Sequence, residues 1–435
     1  MPNELPLGAR RTGNLIDFDP GTPAVSVVLE RTEQGINIEI PWLTSDDYYA
    51  SWFLRDTLLA PDEDPKPIPR RLTFTDSHGS LQLVDCWPRG YHSNFISGSG
   101  HMWAKYVVMG IRDDKDFLQI NGARSTISGL REWLHVSSLS QSVDPDLRRL
   151  TVTGQPADEI TVGPNLTLVP TWGTERPTGE DFIVIRDLVA CESHSPTPGD
   201  WNKLTDTHLG IRDLLTLSRL RPEIALVTAV SRDDDPLTTL DGEEHGQQWR
   251  DVIMGKYQPP LPPITGYRPF LIEYQEIGGP AGIAKWLTLR NDFSRALDPV
   301  LSDCYLMHTP AVTHLAQVGP GLEALGYLLL KDRDGLTVTQ ASRASLRARL
   351  DRIGSVVSSV LPFDANKWAE EMTNAYNAIK HANRALPSEL DLLNRWTESV
   401  VVVRAWVALE LGVDATKLKQ RLDDDPTAKP FEARS

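Results

Sequence analysis

Four polar residues near the C-terminal end of the chain, Asn374, Asn377, His381 and Arg384, have types and spacing that suit acid–base or phosphate chemistry. At about 100° per residue they fall on one side of a helix, and apolar residues recur on the other side. Amides, an imidazole and a guanidinium can together bind a phosphate, and an imidazole can exchange a proton near neutral pH. The pattern predicts a helix with one polar face and one core face. The core positions are Trp368, Met372, Ala375 and Ile379.

His381 is the candidate catalytic residue, because a position at a helix end favours a protonated imidazole. The alternative is a partly exposed histidine that binds the last carbonyl groups of its helix. Asn377 can orient the ring or hold a phosphate oxygen. Lys380, Arg384 and Arg395 can supply positive charge to a scissile phosphate, or they belong to a solvated face of mixed charge.

A second cluster of basic residues lies in the segment TQASRASLRARLDRIG. Arg343, Arg347, Arg349 and Arg352 are opposed within this segment by Asp351 alone. Such a local excess of positive charge can follow an RNA backbone. The alternative is that these side chains lie over the surface of a helical bundle.

The sequence contains no pattern that indicates a metal or a cofactor. Cys86, Cys191 and Cys304 form no C-x-x-C pair, and H-E-x-x-H and the G-x-x-x-x-G-K-[ST] phosphate loop are both absent from the sequence. We therefore expect no cofactor, no metal and no disulfide framework. A few scattered cysteines without a disulfide pattern are typical of proteins in the reducing cytoplasm.

The charge and length of the chain limit its partners. The chain has 435 residues, more than usually fold around a single hydrophobic core, so two or three domains are expected. Lys and Arg number 44 against 59 Asp and Glu, a formal net charge of −15, so any contact with RNA must be local. The apolar run at residues 400–411 is shorter than a bilayer requires and contains Arg404, so no membrane contact is expected.

The periodicity of the chain changes from that of strands to that of helices. Short alternating runs between residues 23 and 185, punctuated by Gly, Pro, Asp and Asn, predict an antiparallel sheet, sandwich or barrel. A helix is predicted at 200–220, and ALVTAVS and FLIEYQE are predicted to be strands. Proline-rich stretches at 196–199 and 258–266 are the candidate linkers or exposed loops. Twelve tryptophans, several of them in the strand region, suit core packing or a ligand groove.

From residue 280 onward the pattern is helical. Helices are expected at about 280–303, 310–331, 339–361, 364–384 and 388–412. The predicted class is therefore α+β, an antiparallel β-rich N-terminal domain (sandwich- or barrel-like) followed by an all-α bundle. We assign residues 1–195 to the β-rich domain, 196–279 to a mixed α/β connecting region, 280–415 to the bundle and 416–435 to a disordered tail.

Several segments of the chain resemble proteins of the ApeA type, which take part in bacterial defence against phage. GLEALGYLL, ASLRARLDRI, NAYNAIKHANR and the final helix ending in LELGV resemble the ApeA-like HEPN domain. WLTSDDYYASWFL and GLREWLHVSSL resemble the ApeA N-terminal domain. The resemblance implies a four-helix HEPN bundle that commonly dimerises, with two sites facing each other across the interface.

Many HEPN domains are metal-independent ribonucleases, with an Arg followed after four to six residues by His. By this resemblance His381 takes the His position and Asn377 the polar position after the Arg. The Arg is absent, since Tyr376, Ala375 and Asn374 occupy the spacings where it would stand. Lys380 or Arg384 can reach a phosphate in its place, although a lysine lacks the bidentate fork.

The resemblance implies a cytoplasmic anti-phage endoribonuclease that acts as a homodimer or larger homo-oligomer on RNA, with tRNA among the candidate substrates. A phage-derived component is the expected trigger. The first alternative is a catalytically degenerate HEPN protein that serves as a dimerisation or binding module, with a ligand-sensing N-terminal domain. The second is a ligand-binding β-sandwich, for example for carbohydrate, with the helices as scaffold.

Overall fold

The computed structural model describes residues 3–16, 22–44, 48–54, 68–94, 97–111, 115–155, 157–175, 181–239, 241–259, 261 and 269–432. Within these ranges the chain forms antiparallel strands up to residue 254 and helices from residue 280. The predicted α+β class, β-rich at the N-terminus and helical at the C-terminus, is confirmed.

The first six strands close into a barrel. Each strand pairs antiparallel with the next in the order β6-β3-β2-β1-β4-β5, and β5 also pairs with β6, so the ring has no free edge. Alternate side chains such as Leu29, Ile38 and Leu83 fill the interior. Helix α1 (Ala50–Phe53) lies against β5 and β6. The strands are β1 Arg10–Ile16, β2 Val25–Thr32, β3 Gly35–Trp42, β4 Arg71–Asp76, β5 Gly79–Ser93 and β6 Gly98–Met109.

A second set of strands extends the barrel into an open sheet. Residues 98–104 of β6 pair with β3, and residues 106–108 pair with β14, from which the sheet continues in the order β14-β13-β7-β12-β11-β10. The hairpin β8 and β9 forms a separate two-stranded sheet. The remaining strands are β7 Ile120–Ile127, β8 Leu139–Asp144, β9 Arg149–Gly154, β10 Ile160–Gly163, β11 Leu166–Glu175, β12 Val184–Gly199, β13 Ala225–Thr238 and β14 Glu244–Met254.

A few helices pack on this sheet and lead into the C-terminal bundle. The short helix α2 (Leu130–Leu134) precedes α3 (Trp201–Arg219), which packs on β7 and β12. The bundle comprises α4 Pro280–Asp292, α5 Ser294–Asp303, α6 Ala311–Leu328, a π-helical turn Leu329–Arg333, α7 Val338–Arg343, α8 Leu346–Val357, α9 Ala365–Lys380, α10 Glu389–Leu411 and α11 Ala415–Asp424.

The open part of the sheet and the bundle share one hydrophobic core that runs from β7, β11 and β12 through α3 into α10, and the barrel interior is a separate core. Arg404 of α10 is 2% exposed and donates from Nε to the Leu217 carbonyl (2.7 Å) and from Nη2 to the Ser218 carbonyl (3.1 Å). These bonds satisfy carbonyl groups at the end of α3 that lack helical partners. The sequence predicted that residues 196–279 form a connecting region. In the structure β13 and β14 are strands of the main sheet, and α3 packs on that sheet.

The tail predicted to be disordered is helical through Asp424, so that prediction is wrong. Asp414 caps α11 by accepting from the amides of Thr416 and Lys417, both at 3.0 Å. Leu418 and Leu422, four residues apart, are both fully buried. These two leucines place one face of α11 in the core, and its other residues are mostly polar or charged. Residues 433–435 lie outside the described ranges.

The segment FLIEYQE forms buried turns instead of the predicted strand. The Ile272 amide donates to Ser218 Oγ (3.0 Å), and the Ile272 carbonyl accepts from the Trp133 indole (2.7 Å). Its backbone groups are therefore bound by α2 and α3 instead of a neighbouring strand. The predicted helix 280–303 is interrupted at Phe293. Of the proline-rich stretches, residues 196–199 end β12, and most of 258–266 lies outside the described residues.

The described helices include none long and apolar enough to cross a membrane. The three cysteines are free thiols, and Cys86 and Cys191 are buried. Burial raises the pKa of both thiols, so they are held as neutral core side chains.

Candidate functional site

Helix α9 presents the two faces that the sequence predicts. Its first turn is capped by Asp364, whose carboxylate accepts from the amide three residues later at 2.8 Å. Trp368 and Met372 are 1% exposed, which places the apolar face in the core. Asn374 is exposed and Asn377 is half-buried on the other side. The helix therefore positions its amides at the surface of the bundle.

His381 lies at the C-terminal end of α9. The helix ends at Lys380, and His381 follows in extended conformation with φ −125° and ψ 104°. The His381 amide donates to the Asn377 carbonyl, and the Arg384 amide donates to the His381 carbonyl, both at 3.0 Å. The prediction that the helix runs to residue 384 is wrong, because Asn383 lies in a tight turn, which asparagine favours. The turn brings the Cα of Arg384 to within about 7 Å of that of His381.

Three of the predicted site residues have side chains without a partner among the residues that the structure describes. Within the part of the chain that the structure describes, His381, Asn377 and Arg384 form no side-chain hydrogen bond and no ion pair. His381 and Arg384 are also exposed. These groups can bind a ligand or a second subunit without breaking an existing bond.

Lys380, the fourth predicted site residue, is held by the bundle. Its ammonium lies 3.4 Å from Glu323 Oε2 and 5.0 Å from the centroid of the Tyr376 ring. Arg349 Nη1 donates to the other carboxylate oxygen of Glu323 at 2.9 Å. One carboxylate therefore stands between two cations, and Lys380 is less free than Arg384 to bind a phosphate.

Tyr376 is part of the core and not of the exposed face. It is 6% exposed, and its ring lies over Gly319 of α6. A Cβ added at Gly319 would lie only 2.2 Å from Tyr376 Cε2. Burial, together with the charge of Glu323, raises the pKa of the phenol to about 12. Tyr376 is therefore neutral at physiological pH.

Two family models match the chain in sequence order. ApeA N-terminal domain 1 matches residues 16–222, and Apea-like HEPN matches residues 331–417. The chain has the ApeA-type domain architecture. The suspected resemblance is thereby confirmed for both parts of the chain. Searches of curated proteins and of solved structures find no match.

The HEPN match includes His381 and Asn377 and extends from the π-helical turn into α11. The spacings at which the HEPN arginine would stand are occupied by Tyr376, Ala375 and Asn374. Tyr376 and Ala375 are buried, so neither presents a polar group to the face that carries His381. Any positive charge beside the imidazole must come from another position, and Arg384 is the candidate without an intrachain carboxylate partner in the described structure.

Three of the four arginines of α7 and α8 pair with carboxylates, two of which come from other elements. Arg349 binds Glu323, and the remaining contacts are Arg347 Nε to Asp351 at 2.8 Å and Arg352 Nε to Asp334 at 2.7 Å. Arg343 has no ion pair within the described residues. The sequence shows Asp351 alone as an opposing charge because Glu323 and Asp334 come from other parts of the chain. This pairing supports the alternative in which these arginines lie over the bundle surface.

The bundle also contains a buried polar cluster that the sequence did not reveal. His314 Nδ1 lies 2.8 Å from Asp303 Oδ1, and the Trp396 indole donates to Asp303 Oδ2 at 2.6 Å. The Trp396 and His314 rings stack with centroids 4.2 Å apart. Burial raises the pKa of Asp303, although both hydrogen bonds oppose this shift. The three residues lie on α5, α6 and α10, so no sequence spacing connects them.

The described residues include no group of three or more His, Cys, Asp or Glu side chains placed to hold a metal ion. The candidate site at the end of α9 consists of an imidazole, an amide and a guanidinium. This set of groups can transfer protons and stabilise negative charge on a phosphate.

Proposed function

We propose that this protein is a cytoplasmic anti-phage defence protein whose HEPN bundle cleaves RNA without a metal, with His381 as the proton-transfer residue. The ApeA-type domain order supports the defence role. The observation that carries the catalytic part is the exposed group of His381, Asn377 and Arg384, which have no intrachain partners in the described structure and lie within one helical turn and one tight turn of each other.

The proposed reaction is transesterification within the RNA. The ribose 2′-oxygen forms a bond to the adjacent phosphorus while the bond from phosphorus to the 5′-oxygen breaks. His381 accepts the 2′-hydroxyl proton as general base or donates a proton to the leaving 5′-oxygen as general acid. The products are a 2′,3′-cyclic phosphate and a 5′-hydroxyl, and no oxidant or metal takes part.

Arg384 is the proposed source of positive charge at the phosphate. Its guanidinium presents a planar set of donors that can bind two phosphate oxygens at once, and Asn377 can donate to a third acceptor. Lys380 is a secondary candidate, because it must leave Glu323 to bind RNA. The net charge of −15 restricts the RNA contact to this local surface.

A second copy of the chain is the proposed partner of the bundle. HEPN domains commonly dimerise and bind RNA, and a pair of His381 sites facing each other would provide a base and an acid on the two sides of one phosphate. The RNA, with tRNA among the candidates, would lie between the copies. A phage-derived component acting on the N-terminal region is the proposed trigger.

Cleavage of a synthetic RNA by the purified full-length protein in the presence of EDTA tests the catalytic proposal. The wild type should yield fragments with cyclic phosphate ends, and His381→Ala should lower the rate by about 10²–10⁴-fold. Asn366→Ala is the matched control, because Asn366 is exposed in the first turn of α9, at the opposite end of the helix from His381. Cleavage by His381→Ala at the wild-type rate would exclude this role.

A second candidate function is a HEPN bundle that binds a partner without cleaving RNA. The observation in its favour is Tyr376, a buried neutral side chain at a spacing where the HEPN arginine would stand. Plating of phage on cells that express the wild type or His381→Ala separates the two functions. A binding module should protect cells equally with His381 or alanine at position 381, whereas a ribonuclease should lose protection with alanine.

A further inference from the structure

The hairpin of β8 and β9 stands apart from the main sheet. In the part of the chain that the structure describes, these two strands pair only with each other, and most of their residues are exposed. The hairpin is held at its base, where the Ser138 amide donates to Asp187 Oδ1 at 3.0 Å and Ser138 Oγ donates to the Thr171 carbonyl at 2.8 Å. A two-stranded hairpin is marginally stable in water unless one of its faces is packed.

One face of this hairpin is apolar and the other is polar. Successive side chains of a strand point to opposite faces, and Val143 lies directly across from Leu150 while Gln141 lies across from Val152. Val143, Leu150 and Val152 are 69%, 64% and 37% exposed, so the apolar face is open to solvent. The opposite face carries hydroxyl and charged side chains, namely Ser140, Ser142, Asp144, Arg149, Thr151 and Thr153.

The apolar face continues from the hairpin onto the main sheet. Gly154 shares the face of Val152, and a Cβ added at Gly154 would lie 2.5 Å from Trp172 Nε1, so the Trp172 indole packs against the end of β9. Trp172 on β11 and Ile185 on the neighbouring strand β12 point to the same side of the sheet, and both are exposed. A continuous exposed apolar surface of this kind marks a contact with a protein or a membrane.

The charges at the tip of the hairpin are balanced, which selects among the possible partners. Asp144, Asp146, Arg148 and Arg149 have a net charge of zero in a chain whose net charge is −15, and none of the four forms an ion pair within the described residues. A partner with charges of one sign, such as an acidic protein or an anionic membrane, would oppose two of these groups. A second copy of the chain carries the same two acids and two bases, so a two-fold arrangement can pair each acid with a base.

We propose that the hairpins of two copies of the chain pack together through their apolar faces and form a symmetric contact. The contact would bury Val143, Leu150, Val152 and Trp172 of both copies, and the acids of one tip would pair with the bases of the other. It belongs to the β-rich part of the chain, so it is separate from any pairing of the helical bundles. It also does not depend on RNA cleavage, and loss of the cleavage proposal would leave it intact.

Fluorescence-detected sedimentation of the full-length protein, between about 1 nM and 100 μM, tests the contact with Leu150→Glu and Thr151→Glu. Both variants introduce the same charge at neighbouring exposed positions of β9, the first on the apolar face and the second on the polar face. Leu150→Glu should weaken self-association at least tenfold, whereas Thr151→Glu should leave it unchanged, and both should keep the wild-type circular dichroism spectrum. A wild type that stays monomeric, or self-association of Leu150→Glu equal to that of the wild type, would overturn the proposal. A monomer that floats with phosphatidylserine vesicles would assign the apolar face to a membrane instead.

A pair of charge variants tests whether the partner is a second copy. Asp146→Lys leaves the tip with three bases and one acid, and Arg148→Glu leaves it with three acids and one base. Each variant alone should self-associate severalfold more weakly than the wild type at low salt, because like charges then meet across the contact. An equimolar mixture should form mixed dimers with an affinity close to that of the wild type. A mixture that associates no better than the separate variants would refute the pairing of these charges between two copies.

Discussion

Gly319 provides the space that Tyr376 occupies, and its replacement by alanine gives a quantitative test of how α6 and α9 pack. An added Cβ would lie 2.2 Å from Tyr376 Cε2, 2.5 Å from Cδ2 and 2.6 Å from Cζ. All three distances are far below van der Waals contact. Because Tyr376 is 6% exposed, its ring has little room to rotate away, and α9 must move from α6.

The expected loss of stability follows from two opposing terms. Overpacking of a core costs about 1–3 kcal/mol, occasionally more, and overlap with three ring atoms places this site at the upper end. Replacing glycine by alanine inside a helix returns about 1 kcal/mol. The net loss is about 2 kcal/mol, which lowers the Tm by about 4–8 °C for a cooperative unit of roughly 150–250 residues.

Urea unfolding and thermal melting followed by circular dichroism measure this effect, with Gly354→Ala as the matched control. Gly354 lies inside α8, and an added Cβ would meet Ala365 Cβ at 3.4 Å, an ordinary contact. Gly354→Ala should therefore gain about 0.5–1 kcal/mol from helix propensity alone. The double variant Gly319→Ala/Tyr376→Leu should lose less stability than the sum of the two single variants, because the smaller side chain relieves the overlap.

A Gly319→Ala protein as stable as Gly354→Ala would refute this reasoning. It would show that Tyr376 does not lie over α6. The claim that Tyr376, at a spacing expected for the HEPN arginine, is buried would then be wrong. Strict additivity in the double variant would lead to the same conclusion.

Three further outcomes are expected. Burial lowers the pKa of His208 to about 4, so its neutral form stabilises the fold above pH 6.5 and this stabilisation is lost as pH falls from about 6.5 through 4. His208→Gln should remove roughly 2 kcal/mol of the stability difference between pH 7 and pH 5, measured by urea unfolding at both values. Trp396→Phe removes a donor to buried Asp303 and should cost about 1–3 kcal/mol in the same assay, and an unchanged midpoint would contradict the contact. Glu323→Gln frees Lys380 for RNA, so the proposed RNA contact predicts a steeper dependence of log K on log salt concentration by about 0.7, measured by fluorescence anisotropy.

The sequence predicted the class of fold and most helices, because their periodicity is local. Strand β14 (EHGQQWRDVIM) was missed because its run of polar residues hides the alternation. Closure of the barrel depends on the pairing of β5 with β6 in addition to β3, which no local pattern encodes. The break in the helix at His381 depends on a turn of three residues, whose signal is too short to override the helical pattern before it.

Within the site, the polar face of α9 could be predicted because helical spacing gathers its residues. The pairing of Lys380 with Glu323 and the burial of Tyr376 over Gly319 could not be predicted, since α6 and α9 are more than 35 residues apart in sequence. The cluster in which Arg212 of α3 and Arg290 of α4 both donate to Asp213 could not be predicted either, because it forms only when α3 and α4 pack together. Long-range packing therefore decides which charged groups remain free.

The proton-transfer role of His381 is tested most directly by the RNA of infected cells that express either the wild type or His381→Ala. Sequencing of fragments with cyclic phosphate and 5′-hydroxyl ends reports the chemistry of cleavage, and equal protein levels serve as the control. We expect such fragments to accumulate with the wild type and to be absent with His381→Ala. Fragments of the same kind and amount in both cultures would contradict catalysis by His381.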